Sequence, residues 1–193
     1  MANEEIDLFV RKMIEGDQSD SYYAEQRRSI PEKVAEDIAI GKKAEYLAAI
    51  YLHETYGFPL IRPDVGVYSA QDKSWSEDLV YGHIDAKLPN IHVKSCSRKT
   101  YEYCRDCSWT FQYGNNGQPG GMDAVLVHPN GSLVVLMFVE TSASKSGIVK
   151  AIVPDSVIGK YMKDPLNKRL KGIKKCIYFM DLLADKCEIE NPT

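Results

Sequence analysis

The sequence has no long hydrophobic run. Its longest apolar stretches, residues 46–52 and 133–139, are far shorter than the roughly 20 residues that a membrane-spanning helix needs. The first five residues contain two acids, Glu4 and Glu5, and no basic residue, and so do not resemble a secretory signal. We therefore expect a protein that is neither inserted into a membrane nor exported, and a cytoplasmic location.

The sequence also lacks internal repeats, low-complexity segments and any linker that would divide it into two domains. Its 193 residues, 44% hydrophobic and 26% charged, lie within the usual range for one globular domain. We expect a single domain over residues 1–193, with a helical N-terminal extension over 1–30 and a core over about 31–180.

Cysteine is present in an odd number, five, which is unfavourable for a disulfide framework. Cys104 and Cys107 have the spacing of one side of a tetrahedral zinc site, and Cys96 lies just upstream. A second complete pair is lacking, so His83, His92 or a partner chain would have to complete the site. The sequence thus favours free thiols over Zn²⁺ at these cysteines.

No large charge of one sign is present, since the formal net charge is −3, which argues against a protein that coats nucleic acid indiscriminately. The charge is uneven along the chain. Residues 1–90 hold 10 Lys and Arg against 17 Asp and Glu, whereas residues 91–193 hold 14 against 10. A polyanion is therefore expected to meet the second half of the chain.

The periodicity changes along the chain from helical to β-like. A short amphipathic helix is expected over 4–16, and a long helix from Pro31 to Tyr56, because Ser29 to Glu32 form a helix-start signal and Gly57 follows. Gly41 lies inside this helix and could divide it into two pieces. Later segments are predicted as strands (58–61, 66–68, 79–81, 91–95, 109–112, 124–127, 132–139, 148–153 and 176–179), with Asn130-Gly131 as a hairpin turn and a helix over 154–162.

Two of these strands frame the residues that could carry chemistry. If residues 77–82 and 91–95 pair antiparallel about residue 86, Asp78 faces Lys94 with their Cβ atoms roughly 4.5–5.5 Å apart. His92 then shares that face. Phosphodiester hydrolysis needs oxygen ligands for a Mg²⁺-type ion, a positioned water and positive charge. Asp78 and Lys94 can supply these, as can Glu45 if the long helix packs across the hairpin.

Read in order, Gly41, Ala44-Glu45, Ala48-Ala49, Leu52 and Gly57, then Asp78-Leu79-Val80, then Ile91-His92-Val93-Lys94-Ser95, resemble the PD-(D/E)xK nuclease superfamily over about residues 41–139. That superfamily includes restriction endonucleases and Holliday-junction resolvases. The resemblance implies an α/β fold of the restriction endonuclease type, a mixed central sheet flanked by helices. It also implies Mg²⁺ or Mn²⁺ as cofactor.

By the same resemblance, Glu45, Asp78 and Lys94 are the catalytic residues, and Asp78, Glu45 and His92 are the candidate metal ligands. Two positions depart from the pattern: Glu77 stands in place of a proline, and His92 in place of an acidic residue. A neutral imidazole brings no charge to a hard cation site. Glu45, Glu77 or Gln112 are alternatives for the missing oxygen ligand, and Asp64 and Asp85 are alternatives for the key aspartate.

Two groups of side chains are candidates for binding nucleic acid. Arg98, Lys99 and Arg105 follow Lys94 directly. Lys168, Arg169 and Lys171 belong to a basic run over 146–180, and Gln112 lies on the strand between the two groups. The alternation of Trp109, Phe111 and Tyr113, and of Tyr101 and Tyr103, indicates strand packing more than base stacking.

The sequence therefore predicts a metal-dependent deoxyribonuclease that acts on duplex DNA as a homodimer. Branched DNA and RNA are alternative substrates. A non-catalytic nuclease-like module that binds nucleic acid or a protein partner is the alternative function, with His92 as the mark of a lost metal site.

Overall fold

A computed structural model describes residues 2–15, 31–64, 77–114, 122–127 and 129–184. Within these ranges lie six α-helices, five strands and two short 3₁₀ turns. The helices are α1 (Ala2–Glu15), α2 (Pro31–Tyr56), α3 (Arg98–Cys104), α4 (Ala124–Val127), α5 (Asp155–Ile158) and α6 (Phe179–Ala184). The strands are β1 (Ile91–Cys96), β2 (Ser108–Gln112), β3 (Leu133–Phe138), β4 (Ile148–Pro154) and β5 (Lys174–Tyr178), and the 3₁₀ turns are Gly159–Tyr161 and Lys168–Leu170.

The long helix α2 is one uninterrupted element that begins at Pro31, as predicted. Gly41 does not divide it. The helix ends at Gly57, whose φ of +74° lies in the left-handed region that only glycine adopts without strain. The amide of Gly57 donates to the His53 carbonyl at 3.0 Å, and the amide of Phe58 donates to the Leu52 carbonyl at 3.3 Å. These bonds satisfy carbonyl groups that the end of the helix would otherwise leave open.

The central sheet is mixed, with the strand order β1-β3-β4. β1 runs parallel to β3, with Ile91 beside Leu133 and Cys96 beside Phe138. β3 runs antiparallel to β4. A second, two-stranded sheet is formed by β2 and β5 in antiparallel pairing, with Gln112 beside Lys174. The protein is therefore a mixed α/β fold with a small mixed sheet and flanking helices.

The two faces of the central sheet bury different cores. On one face, Ile91 and Val93 of β1 pack in a core with the α2 residues Ala44, Ala48 and Leu52. The other face packs against the β2–β5 sheet, and its core contains Cys96, Val134, Leu136, Trp109 and Phe111. Trp109 also donates its indole N–H to the Met137 carbonyl at 2.8 Å, which ties the second sheet to β3. Because side chains alternate along a strand, His92 and Lys94 are directed to the β2 side.

Several of the predicted strands are wrong. Residues 58–61 form no strand, and 124–127 form the helix α4. Asn130-Gly131 therefore joins a helix to β3 instead of joining two strands. The predicted strand over 66–68 lies outside the described residues. The apolar run of β3 pairs in parallel with β1, and burial on both faces is typical of such a strand.

Tyr101 and Tyr103 lie on α3 and not on a strand. The helix begins there because the Ser97 hydroxyl accepts a hydrogen bond from the Thr100 amide and so caps its first turn. Among the helices in the described ranges, none is long and apolar enough to cross a bilayer.

Candidate functional site

The candidate site lies at the beginning of β1, where the segment before it crosses the sheet edge. Leu79 and Ile91 form an antiparallel bridge, with the Ile91 amide 2.9 Å from the Leu79 carbonyl and the Leu79 amide 3.0 Å from the Ile91 carbonyl. Asp78 also donates its amide to the Ile91 carbonyl at 2.9 Å. The hairpin predicted for this region is therefore present, as a short antiparallel contact.

Its predicted register is wrong by two residues, because Leu79 pairs with Ile91 where the prediction pairs it with Val93. Pairing of 79 with 91 centres the hairpin on residue 85, whereas a pairing of Asp78 with Lys94 needs a centre at residue 86. The reason lies in the turn, where Ile84 and Asp85 both donate their amides to the Tyr81 carbonyl. A shift of two residues keeps each side chain on the same face of the sheet but changes which side chains lie opposite each other. Asp78 consequently does not pair with Lys94.

Asp78 is instead fixed to the backbone of β1. Its Oδ2 accepts a hydrogen bond from the Val93 amide at 2.7 Å. This bond holds the carboxylate beside β1 between His92 and Lys94, and Asp78 acts electrostatically on His92. The sequence-predicted trio of Asp78, His92 and Lys94 is thus brought together, by a contact that the sequence did not predict.

Lys94 pairs with an acid that the sequence analysis missed, Asp123. The Lys94 Nζ lies 3.1 Å from Asp123 Oδ2 and 5.2 Å from the centroid of the Phe111 ring. Asp123 Oδ2 also accepts the Gln112 amide at 2.8 Å, and the Asp123 amide donates to the Gln112 carbonyl at 2.9 Å. The available signal was weak: an aspartate directly after a glycine-rich stretch and before the four residues of α4.

His92 is a buried imidazole, 8% exposed, among charged groups. Burial lowers the pKa of His92 below its ordinary value; Asp78 opposes this shift, Lys94 reinforces it, and Glu77 and Asp123 oppose it. The net effect favours the neutral ring at neutral pH. His92, which stands where the resembled motif has an acidic residue, therefore supplies a hydrogen-bonding group without charge.

Glu77 is held at the same end of the sheet by the turn before β3. Its Oε1 accepts hydrogen bonds from Asn130 Nδ2 at 2.5 Å and from the Ser132 hydroxyl at 3.1 Å. Burial tends to raise the pKa of Glu77, but the hydrogen bonds from Asn130 and Ser132 outweigh it and leave the pKa below its ordinary value. Asp155 supports this turn, because its Oδ2 accepts the amides of Asn130 and Ser132. Glu77 is therefore a fixed carboxylate.

Glu45, the third predicted catalytic residue, is placed on α2 with Lys42. Its Oε2 lies 2.7 Å from Lys42 Nζ, and the residue is almost fully buried. The groups that act most strongly on His92 are Asp78, Lys94, Glu77 and Asp123, and Glu45 is not one of them. Asp85, an alternative aspartate, accepts the Lys87 amide within the turn, and Asp64 is exposed after α2.

In the described part of the chain, no three His, Cys, Asp or Glu side chains lie close enough together to hold a metal ion. A structural zinc site needs such a group, and the candidate Cys96, Cys104 and Cys107 do not form one there. Burial raises the pKa of Cys96 to about 12 and also raises that of Cys107, so these thiols stay protonated. Mg²⁺ is less demanding, since it is often held by one or two carboxylates, waters and substrate phosphates. Asp78 and Asp123 suit that second arrangement.

The two groups of predicted nucleic-acid-binding residues lie at opposite ends of the sheets. Arg98 on α3 pairs with Glu102 at 2.9 Å and Glu140 at 2.8 Å, beyond the C-terminal ends of β1 and β3. Lys99 and Arg105 are exposed on and after the same helix. This group is therefore distant along β1 from Glu77 and His92.

Gln112 and the second group lie on the side of the candidate site. Gln112 contacts Asp123 and pairs with Lys174, and Lys174 forms a bridge with Lys171. Lys168 and Arg169 form the 3₁₀ turn just before that bridge. The basic surface of 168–175 is therefore continuous with the strand end that contacts the Lys94–Asp123 pair.

Comparison with known proteins found no matching family model, no matching curated protein and no matching solved structure. The function is therefore argued from the side chains of the site.

Proposed function

We propose that the protein is a metal-dependent deoxyribonuclease of the PD-(D/E)xK type that hydrolyses DNA phosphodiester bonds. The observation that carries the proposal is the position of Lys94, a half-buried ammonium paired with Asp123, on the strand whose Val93 amide binds the Asp78 carboxylate. A lysine with flanking carboxylates at a sheet edge provides charge of both signs for a phosphate and its counter-ion.

The arrangement of the elements also supports the proposal. A long helix, α2, packs on one face of a mixed sheet, and the strand with His92 and Lys94 follows an antiparallel segment with Asp78. This order of elements agrees with the restriction endonuclease-like fold that the motif implies. Duplex DNA as substrate, a homodimer and a cytoplasmic location complete the proposal.

Each residue of the site has a distinct role in this proposal. A bound Mg²⁺ or Mn²⁺ supplies Lewis-acid chemistry at the phosphate. Asp78 and Asp123 would hold it, with Glu77 nearby as a fixed carboxylate. Lys94 places positive charge where negative charge develops on the phosphate, and the neutral His92 ring can hydrogen-bond a water without adding charge.

The test is cleavage of supercoiled plasmid, linear duplex and a four-way junction, each with Mg²⁺, Mn²⁺ or EDTA. We expect metal-dependent cutting that falls by at least about 100-fold in Lys94→Met and Asp78→Asn, the size typical of lost transition-state stabilisation. Absence of cutting on every substrate, or cutting that survives both substitutions, would overturn the proposal.

The chain offers a matched control for each variant. Lys150 lies 5.1 Å from the Phe179 ring centroid, as Lys94 lies over Phe111, but is remote from the carboxylates of the site. Asp106 accepts a backbone amide, that of Met180, at 3.1 Å, as Asp78 accepts that of Val93. Lys150→Met and Asp106→Asn should leave cleavage unchanged, which separates loss of chemistry from loss of packing.

A non-catalytic nuclease-like module is the second candidate function, favoured by the neutral and buried His92 at the acidic position. Calorimetry with Mn²⁺ separates the two functions. The enzyme should bind Mn²⁺ and lose this binding in Asp78→Ala, whereas the module should show none. In the module, His92→Asp should create Mn²⁺ binding, because it restores a charged oxygen ligand.

A further inference from the structure

At the far end of β2, the ring of Tyr113 is exposed, unlike the two aromatic rings before it. Trp109 and Phe111 are fully buried, whereas Tyr113 is 42% exposed. The strand pairing continues to this point, because the Tyr113 amide donates to the Ile173 carbonyl at 2.8 Å. Tyr113 therefore occupies a fixed position on the surface, whereas Trp109 and Phe111 pack in the core.

One lysine lies over the Tyr113 ring, and a second lies nearby on the same aspartate. The Lys175 Nζ lies 5.1 Å from the Tyr113 ring centroid. It also donates to Asp164 Oδ1 at 2.7 Å, and Lys171 Nζ lies 3.3 Å from Asp164 Oδ2. Two ammonium groups thus converge on one carboxylate beside an exposed aromatic ring. We call Tyr113, Asp164, Lys171 and Lys175 the tyrosine–lysine cluster.

The surroundings of the cluster are strongly basic. Residues 160–175 contain seven Lys and Arg against the single acid Asp164. Asp181 binds a further lysine of this segment, Lys163, at 2.6 Å. Asp164 therefore pairs with two lysines of this segment, Lys171 and Lys175. It occupies the position that the phosphate of a bound anion could take.

The cluster is also connected to the candidate site. Lys175 pairs with Phe111, and the Phe111 ring contacts the Lys94 ammonium. Tyr113 follows two residues later on the same strand, a step of about 6.6 Å along the chain. A strand of nucleic acid that leaves the site over Phe111 and Gln112 would pass over Tyr113.

We propose that the tyrosine–lysine cluster binds single-stranded DNA, with one base stacked on Tyr113 and a phosphate that displaces Asp164 from Lys171 and Lys175. Base stacking on an exposed aromatic ring beside lysines is the combination by which proteins bind single strands. A duplex keeps its bases inside the stack, where a surface tyrosine does not reach them. The inference rests on the proposed function and adds to its duplex substrate an unpaired segment beside the site.

Asp164 acts in this proposal as an internal competitor for phosphate. In the free protein it neutralises two lysines, which weakens attraction for phosphate until a strand also gains the stacking contact with Tyr113. Hydrogen bonds from Lys175 and Lys171 lower the pKa of Asp164, so the competitor is ionised at neutral pH. The cluster should therefore bind most tightly those DNA strands that place a base on Tyr113 and a phosphate on the two lysines.

The test is fluorescence anisotropy of a labelled oligothymidylate and of a labelled duplex of equal length, with the full chain in EDTA. We expect the single strand to bind more tightly than the duplex. Tyr113→Leu should weaken single-strand binding about tenfold, the effect of losing one stacked base, while Tyr113→Phe retains it. Tyr101→Leu is the matched control, since Tyr101 is 47% exposed at the other end of the protein.

Asp164→Asn tests the competition directly. It should tighten single-strand binding several-fold and steepen the dependence of log K on log salt by about 0.7 for each lysine released. Weaker binding in Asp164→Asn would overturn the displacement. Equal affinity for duplex and single strand, or no effect of Tyr113→Leu, would overturn the stacking.

Failure of this inference is distinguishable from failure of the proposed function. Binding is measured in EDTA, where a metal-dependent enzyme does not cut. If the protein cuts duplex plasmid but Tyr113→Leu binds single strands normally, only the cluster proposal falls. If single strands bind through Tyr113 and no substrate is cut with any metal, only the nuclease proposal falls.

Discussion

Lys94, within β1, and Arg98, just beyond its C-terminal end, each pair with a carboxylate, and the two ion pairs differ in their surroundings. Lys94 and Asp123, 3.1 Å apart, have side chains 23% and 26% exposed, against a buried ring and a backbone amide. Arg98 and Glu140, 2.8 Å apart, are 62% and 54% exposed. Distance alone would rank the second pair as stronger. The contacts around each pair indicate instead that the first belongs to the packed structure and the second to the solvated surface.

The difference extends to the turns at each end. At the beginning of β1, Glu77 and Asp155 accept hydrogen bonds from the same turn before β3. Beyond its C-terminal end, α3 carries exposed side chains that pair with one another. A site that must hold charges in a fixed geometry is therefore expected at the first end and not at the second.

The largest effect that tests this comparison should come from Asp155→Ala. Asp155 is 3% exposed, and its Oδ2 accepts the Asn130 and Ser132 amides at 2.8 and 3.0 Å. Its removal leaves the Asn130 amide without this partner and the Ser132 amide with only the longer bond to Asn130 Oδ1 at 3.2 Å, which should lower the free energy of unfolding by about 3 kcal/mol. Urea denaturation followed by circular dichroism measures this loss. Asp155→Asn, which keeps an acceptor oxygen, should lose less.

The next effect concerns the proposed chemistry. Asp123→Asn removes the charge that holds Lys94 and should reduce metal-dependent cleavage about 100-fold, equivalent to about 2.7 kcal/mol of activation free energy. Single-turnover rates on linear duplex at saturating metal give the measurement. Glu140→Gln, the matched change at the other end of β1, should alter the rate less than about twofold. Equal losses in the two variants would contradict the difference between the ends.

The sequence predicted best those elements whose ends are marked by residues close to each other along the chain. The long helix over 31–56 was predicted because its start signal and Gly57 lie at its two ends, and local hydrogen bonds complete both features. The strand at 91–95 was found because Ile91 and Val93 alternate with polar residues, and the strand at 132–139 because an apolar run of that length must be buried. The type of sheet they form was set by tertiary pairing.

The site was less predictable, for a physical reason. The hairpin register depends on how the turn after Tyr81 uses its own hydrogen bonds, which strand patterns do not encode. Asp123 meets Lys94 because β2 packs beside β1 and the Gln112 amide holds the Asp123 carboxylate next to the Lys94 ammonium. Glu45 has the expected helix position, and its Oε2 pairs with Lys42 on the same helix. The Asp123 contact depends on segments distant in sequence, whereas the hairpin register and the Glu45 pair are set by local contacts that residue patterns do not specify.

A smaller effect is expected at Tyr81, which follows Asp78 at the site end of β1. Its side chain is fully buried, and its hydroxyl has no hydrogen-bond partner in the described structure. Tyr81→Phe removes this unsatisfied group and should raise the free energy of unfolding by about 1 kcal/mol. Thermal denaturation of the two proteins at pH 7 gives the comparison, and a destabilised Tyr81→Phe would show that the hydroxyl has a stabilising partner.

The same residue predicts a dependence on alkaline pH. Burial raises the pKa of Tyr81 to about 12, from an ordinary value of 10.0. Below pH 10 the phenol is protonated in both folded and unfolded chains and stability is unaffected. As pH rises from 10 to about 12, the unfolded chain loses this proton first, so stability falls. The fall should be shallower in Tyr81→Phe, as followed by urea denaturation at several pH values; equal slopes would exclude a contribution from Tyr81.

The smallest effect is expected for the exposed pair at the other end of β1. Arg98→Ala and Glu140→Ala should each leave the free energy of unfolding almost unchanged, and a double-mutant cycle should give a coupling energy close to zero. The same cycle for Lys94 and Asp123 should give a larger coupling energy, because burial reduces solvent screening and the pair has further fixed contacts.

The two pairs should also differ in their dependence on salt. Added salt should abolish the Arg98–Glu140 coupling and leave most of the Lys94–Asp123 coupling, since screening acts chiefly on exposed charges. Equal couplings with equal salt dependence would mean that the site end of β1 is no more fixed than its other end, and would remove the structural reason to place the chemistry there.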